Sequence, residues 1–171
     1  EDERFYVGLG ATRSGRWIVI HSGSKNSSEV HLISTSDVGA APICVQRRHD
    51  GVEYHVDDWG DRFVIMTNDG AEDFRLMTAP HDTPSEWTEL DPHQPGRRIT
   101  GVEPFDGVLA VHEWLDAQPR IRLLAPEGSE RIIDLGDEPH DLEFGSNEEF
   151  ATDRIRIVHQ SLTSPATIFD V

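Results

Sequence analysis

A chain of 171 residues with 15 Lys and Arg against 32 Asp and Glu carries a formal charge of -17. That field repels polyanions and leaves nucleic acid and anionic membrane outside the expected partners. Hydrophobic residues at 36% and charged ones at 27% describe a globular chain, long enough for one domain that buries roughly two thirds of its unfolded surface.

In chain order, strand patterns come in groups. FYVGLG is followed by SGRWIVIHSGSKNSSEVHLIS and ICVQ, VEYHV by GDRFVIMTNDGAEDFRLMTAP and WTEL, and ITGVEPF by FDGVLAVHEWLDAQPRIRLLA and RIIDL. The last group, DLEF and TDRIRIVHQSLTSPATIFDV, has no fourth strand pattern before Val171. Ile20, Met66, Val111 and Val158 end the apolar runs at spacings of 46, 45 and 47 residues, and Leu32, Leu76, Leu123 and Phe169 form a second series at 44, 47 and 46. Two independent anchor series with one period mark an internal repeat.

A period near 45 residues built from four short strands describes a β-propeller blade. Helical repeats of similar length are excluded, because no segment holds apolar residues at i, i+3, i+4 and i+7 over three turns. The expected fold is all-β: a partial β-propeller in an open arc, with three complete four-stranded blades at about 4–48, 51–91 and 98–135 and a three-stranded fourth at about 141–171. The runs WIVI, FVIM and VLAV are expected to be buried on both faces by blade stacking, whereas FRLMT and RIRLL are expected to alternate. An unclosed arc exposes the apolar faces of its end blades, so self-association of the chain is expected.

Cys44 is the only cysteine. An intramolecular disulfide and a CxxC site are therefore excluded, and within PICVQ the thiol is expected to be buried and inert, in keeping with a reducing compartment. No stretch approaches the ~18 apolar residues of a spanning helix, and the opening EDERFYVGLG has no apolar signal region, so a cytoplasmic chain is expected. GxSxG, HExxH, P-loop and kinase signatures are missing from the sequence, and GLGATR lacks the third glycine of a dinucleotide fingerprint. His21, His112 and His159 occupy one repeat position on different blades, where a hydrogen-bonded strand end is expected rather than a shared metal ion. The pairs His49-Asp50, His81-Asp82 and His140-Asp141 read as solvated turns. From the residues alone the chain is a scaffold or binding module with no catalytic residue, metal or cofactor.

GDRFVIMTNDGAEDFRLMTAP, DERFYVGLGATRSGRWIVIHSGS, GVEYHVDDWGDRF and SLTSPATIFDV resemble the propeller of the prolyl oligopeptidase family, in its oligopeptidase B (protease II) branch. The resemblance implies a propeller capping a C-terminal α/β-hydrolase domain of the same parent chain, whose Ser, Asp and His cleave short peptides after Lys or Arg. It places this chain among the later blades, with the triad beyond Val171. It also implies that the loops joining second to third strands face the catalytic domain: Ser22–Asn26, Asn68–Asp73, Glu113–Pro119 and Ser161–Pro165. Ser24, Lys25, Asn26, Asn68 and Asp69 are then the residues expected nearest the substrate chamber. Asp69, Asp73, Glu113 and Asp116 are expected to draw cationic peptides toward it. The alternative is a free-standing propeller-like interaction module without enzymatic activity.

Overall fold

The computed structural model describes residues 5–133, 135–136 and 138–171, and among them there are strands and turns but no helix. The first sheet holds β1 (Tyr6–Ala11), β2 (Trp17–Gly23), β3 (Ser28–Ser34) and β4 (Ile43–Gln46); the second β5 (Tyr54–Trp59), β6 (Arg62–Thr67), β7 (Arg75–Pro80) and β8 (Thr88–Asp91). The third holds β9 (Arg97–Phe105), β10 (Val108–Leu115), β11 (Gln118–Leu124) and β12 (Glu130–Ile133), and the fourth β13 (His140–Phe144), β14 (Arg156–Ser161) and β15 (Thr167–Asp170). Within each sheet the neighbours are antiparallel and follow chain order. The chain divides into two compact units, Glu1–His93 and Gln94–Val171, each carrying two sheets. Arg4, at the start of the expected first blade, and Asp134, in the strand pattern RIIDL, lie outside the described residues.

Tight turns set the register. Trp59 pairs with Arg62 across Gly60-Asp61, and Phe105 pairs with Val108 across Asp106-Gly107. Gly60 and Gly107 stand at φ 68° and 82°, where a Cβ costs about 1–2 kcal/mol. GD and DG in the sequence are therefore hairpin signals with a steric cause.

In the first unit Val30, Leu32 and Val45 of one sheet pack with Tyr54, Phe63, Ile65 and Met77 of the next. In the second unit Phe105, Ala110 and Ile121 pack with Leu142 and Ile157. Face-to-face burial explains the apolar runs of β6 and β10, where Phe63–Ile65 and Leu109–Val111 are at most 2% exposed. In the first sheet, by contrast, the WIVI run of β2 is only half-buried.

Two further expectations change. Strand β7 does not alternate: Leu76, Met77, Thr78 and Ala79 are all buried, Met77 and Ala79 within the core shared with the first sheet. Cys44 is half-exposed rather than buried. It lies on the outermost strand, where burial falls on its neighbour Val45.

The pairing of β3 with β4 is interrupted: Val30 faces Gln46, but His31 faces Cys44, so Val45 is the extra residue of a bulge. Tyr54 repairs the gap from the second sheet. Its buried hydroxyl accepts the Val30 N–H at 2.8 Å and donates to the Gln46 carbonyl at 2.6 Å. Burial raises the Tyr54 phenol above the ordinary tyrosine range, an effect that the Val30 N–H partly opposes. Tyr54→Phe keeps the ring and leaves both backbone groups unsatisfied, so a loss of about 1–3 kcal/mol is expected. Urea unfolding of the two chains measures it; equal midpoints would show that the hydroxyl holds nothing.

Candidate functional site

The loops between second and third strands are short and largely occupied with structural bonds. Ser24 Oγ lies 2.8 Å from Ser27 Oγ, Asn26 Nδ2 donates to Asp50 Oδ1 at 3.3 Å, and Lys25 is exposed. Asn68 is a clamp: its Oδ1 accepts the Glu53 N–H at 2.7 Å and its Nδ2 donates to the Gly51 carbonyl at 3.2 Å. Both loops are thus stitched to residues 50–53, the connection from β4 to β5. This brings Ser24, Lys25, Asn26, Asn68, Asp69 and Asp73 to one end of the first unit. Lys25, Asn26, Arg48 and Asp50 line an open hollow of about 560 Å³ there. Arg48 is tied down by Ser22 and Ser27 and stacks 4.2 Å over the Phe5 ring.

Glu113 and Asp116 lie in the other unit, and Glu113 is not a loop residue. Leu115 pairs with Gln118, so the expected loop from Glu113 to Pro119 shrinks to the turn Asp116-Ala117, both at positive φ, of 51° and 63°. Pro119, which lacks an N–H, fits in β11 because β12 pairs only from Ile121 onward. Glu113 is fully buried within β10. Arg120 Nε donates to it at 2.6 Å, Arg122 Nη2 at 3.1 Å, and Arg97 Nε lies 3.9 Å away. Its charge is spent inside the sheet, so it contributes no field for cationic peptides. Asp69 and Asp116 remain exposed and Asp73 half-exposed.

At the opposite end of the first unit is a cluster that no sequence spacing announced. Asp58 is fully buried and receives Ser14 Oγ, Arg16 Nε at 2.7 Å, Arg16 Nη2 at 2.8 Å and His81 Nε2 at 2.8 Å. His81 is therefore a structural partner and not the solvated turn residue expected. Serine, histidine and aspartate meet here, but the carboxylate sits in the middle and the hydroxyl points at it, so no base activates the serine. Asp57 beside it accepts the N–H groups of Arg13 at 2.9 Å and Asp58 at 2.7 Å. Burial pushes its carboxyl up to about 6, against the pull of those two N–H groups and of the Arg13 charge. Only the DD pair of VDDW hinted at these residues, and nothing local signalled that His81 or Ser14 would reach them.

The repeat-position histidines differ among themselves. His112 bridges two sheets, donating from Nε2 to the Leu142 carbonyl at 2.6 Å while Nδ1 faces Thr100 Oγ1. His21 stacks on His55 at 5.7 Å, and burial lowers both imidazoles below the ordinary range. His159 packs against His140 and Phe169.

Residues 1–171 match the family described as prolyl oligopeptidase, N-terminal β-propeller domain. The chain belongs to the prolyl oligopeptidase family. Among curated relatives it is 34% identical over its whole length to dipeptidyl aminopeptidase BI of Pseudoxanthomonas mexicana and 27% identical over 99% of its length to protease 2 of Moraxella lacunata. It spans 24% of the length of each. Oligopeptidase B of Trypanosoma brucei, solved with covalently bound antipain, shares the fold at TM-score 0.91, and that of Leishmania major at 0.93. Those structures are 22% and 24% identical, cover 99% and 100% of this chain, and are themselves covered to 26%.

Two measurements test the buried charges of this propeller domain. Glu113→Gln removes the buried carboxylate that Arg97, Arg120 and Arg122 share, while Arg122 keeps Glu130, so a loss of about 1.5–3 kcal/mol is expected in chemical unfolding. For Asp57, the folded carboxyl stays protonated up to about pH 6, whereas the unfolded one ionises near its ordinary value of 3.8. Between these values the folded state holds more protons, so its stability falls as pH rises through the window from about 4 to 6. Asp57→Asn should flatten that fall, which unfolding curves at several pH values across the window will show.

Proposed function

We propose that this propeller gates a serine oligopeptidase. In this reading a C-terminal α/β-hydrolase domain of the same parent chain cleaves short peptides after Lys or Arg, and the propeller excludes folded proteins. The match of all 171 residues to the family's N-terminal propeller domain carries the reading. The end bearing Ser24, Lys25, Asn26, Asn68 and Asp69 faces the chamber, with Asp69, Asp73 and Asp116 as the carboxylates that favour basic peptides. Self-association of the 171-residue chain is part of the same proposal, supported by Tyr6, Val7 and Leu9, each more than 60% exposed on β1. A cytoplasmic location is proposed with it.

A second reading is favoured by the 34% identity to a dipeptidyl aminopeptidase: release of dipeptides from a free N-terminus. The parent protein separates the two on amino-blocked and free peptides with Arg before the scissile bond. The endopeptidase reading expects both to be cleaved, folded proteins to be spared, and neutralisation of Asp69, Asp73 and Asp116 to weaken the salt dependence of kcat/KM. Cleavage of free peptides alone supports the dipeptidyl reading, and no hydrolysis leaves an interaction module.

A further inference from the structure

The bulge that Tyr54 repairs has an outward consequence on the same strand pair. Because Val45 is the extra residue, Cys44 stands directly opposite His31, and Glu29 lies two residues along β3 from His31 on the same face. One donor atom from each residue lies within 4.8 Å of the other two, and His31 Nε2 is 3.8 Å from Glu29 Oε1. Arg48 N–H holds the other carboxylate oxygen, Oε2, at 2.9 Å. The carboxylate is therefore oriented, with its remaining oxygen turned to the imidazole. All three residues are half-buried. Cys44 also lines an open hollow of about 370 Å³ with His49 and Ser85.

We propose that Glu29, His31 and Cys44 form a zinc site that clasps the outermost strand of the first blade to its neighbour. Ligand atoms around a tetrahedral zinc ion lie about 3.3–3.7 Å apart, given bonds of about 2.0–2.3 Å, so side-chain adjustments of about 1 Å close the triangle. A thiolate, an imidazole and one carboxylate suit Zn²⁺ and not the oxygen-seeking Mg²⁺ or Ca²⁺. Water takes the fourth position. Burial and the Glu29 charge hold the Cys44 thiol above its ordinary value, while Arg47 and a backbone hydrogen bond oppose them. Zinc binds the thiolate, with release of one proton. The clasp lies on the outer strand and is separate from the gating end proposed above.

Cobalt(II) titration of the 171-residue chain, purified without a histidine tag, tests the site. The single cysteine makes any thiolate-to-cobalt charge-transfer band assignable to Cys44. One equivalent should saturate the band, zinc should displace it, and apparent affinity should rise with pH. Cys44→Ser should abolish it, and His31→Ala and Glu29→Gln should each weaken binding at least tenfold, with the far-UV spectra of the metal-free variants checked against the parent chain. Zinc should also raise the Tm of the parent chain and not that of Cys44→Ser. No band at millimolar cobalt would overturn the proposal. So would a band of equal affinity in His31→Ala and Glu29→Gln, since that is a cysteine binding alone.

Discussion

A phenolic hydroxyl from one sheet completes the hydrogen-bond ladder of another. Tyr54 stands where β3 and β4 part, between the Val30 N–H and the Gln46 carbonyl. Buried backbone groups must be satisfied, and the bulge at Val45 removes the partners that an unbroken ladder would have supplied. The first sheet therefore depends on the second for more than apolar contact. The same bulge turns Val45 into the core and leaves Cys44 beside His31 on the outer face, so one irregularity settles both the interior and the chemistry of the surface.

The other buried polar groups follow a similar logic. Asp58 gathers Ser14 and Arg16 from one turn and His81 from another, and Glu113 gathers arginines from strands on either side of β10. Each is a charge that packing alone would make costly, compensated by several donors whose positions it then constrains. Asn68 and Asn26 act in the same manner at the other end of the first unit, where they tie loops to the connection between blades. Loops that read as free polar turns are thus anchored by their own side chains, and fewer groups are left to meet a substrate than their composition suggests.

Among the candidate site residues, Lys25, Asp69 and Asp116 keep exposed charges at turns, as their sequence setting implies. Asn68 and Glu113 do not, and the difference is physical. An asparagine in a turn looks alike in sequence whether its amide faces water or a backbone carbonyl. A glutamate within HEW reads as polar whether or not arginines wait across the strand. Their fate depends on cross-strand register, and register here depends on the two-residue turn at Asp116-Ala117, which no Gly or Asn announces.

The repeat period, the strand order within each unit, the apolar runs of the central strands and the hairpins at GD and DG were all determined by the sequence itself, because strand alternation, turn sterics and double-sided burial act over a few residues and leave a local record. The bulge at Val45, the reach of Tyr54 and His81 into neighbouring elements, the burial of Glu113 among arginines and the convergence of Glu29, His31 and Cys44 were decided only by the tertiary structure. Each joins residues that stand apart in the chain, and what brings them together is the pairing and stacking of sheets, which no local pattern encodes.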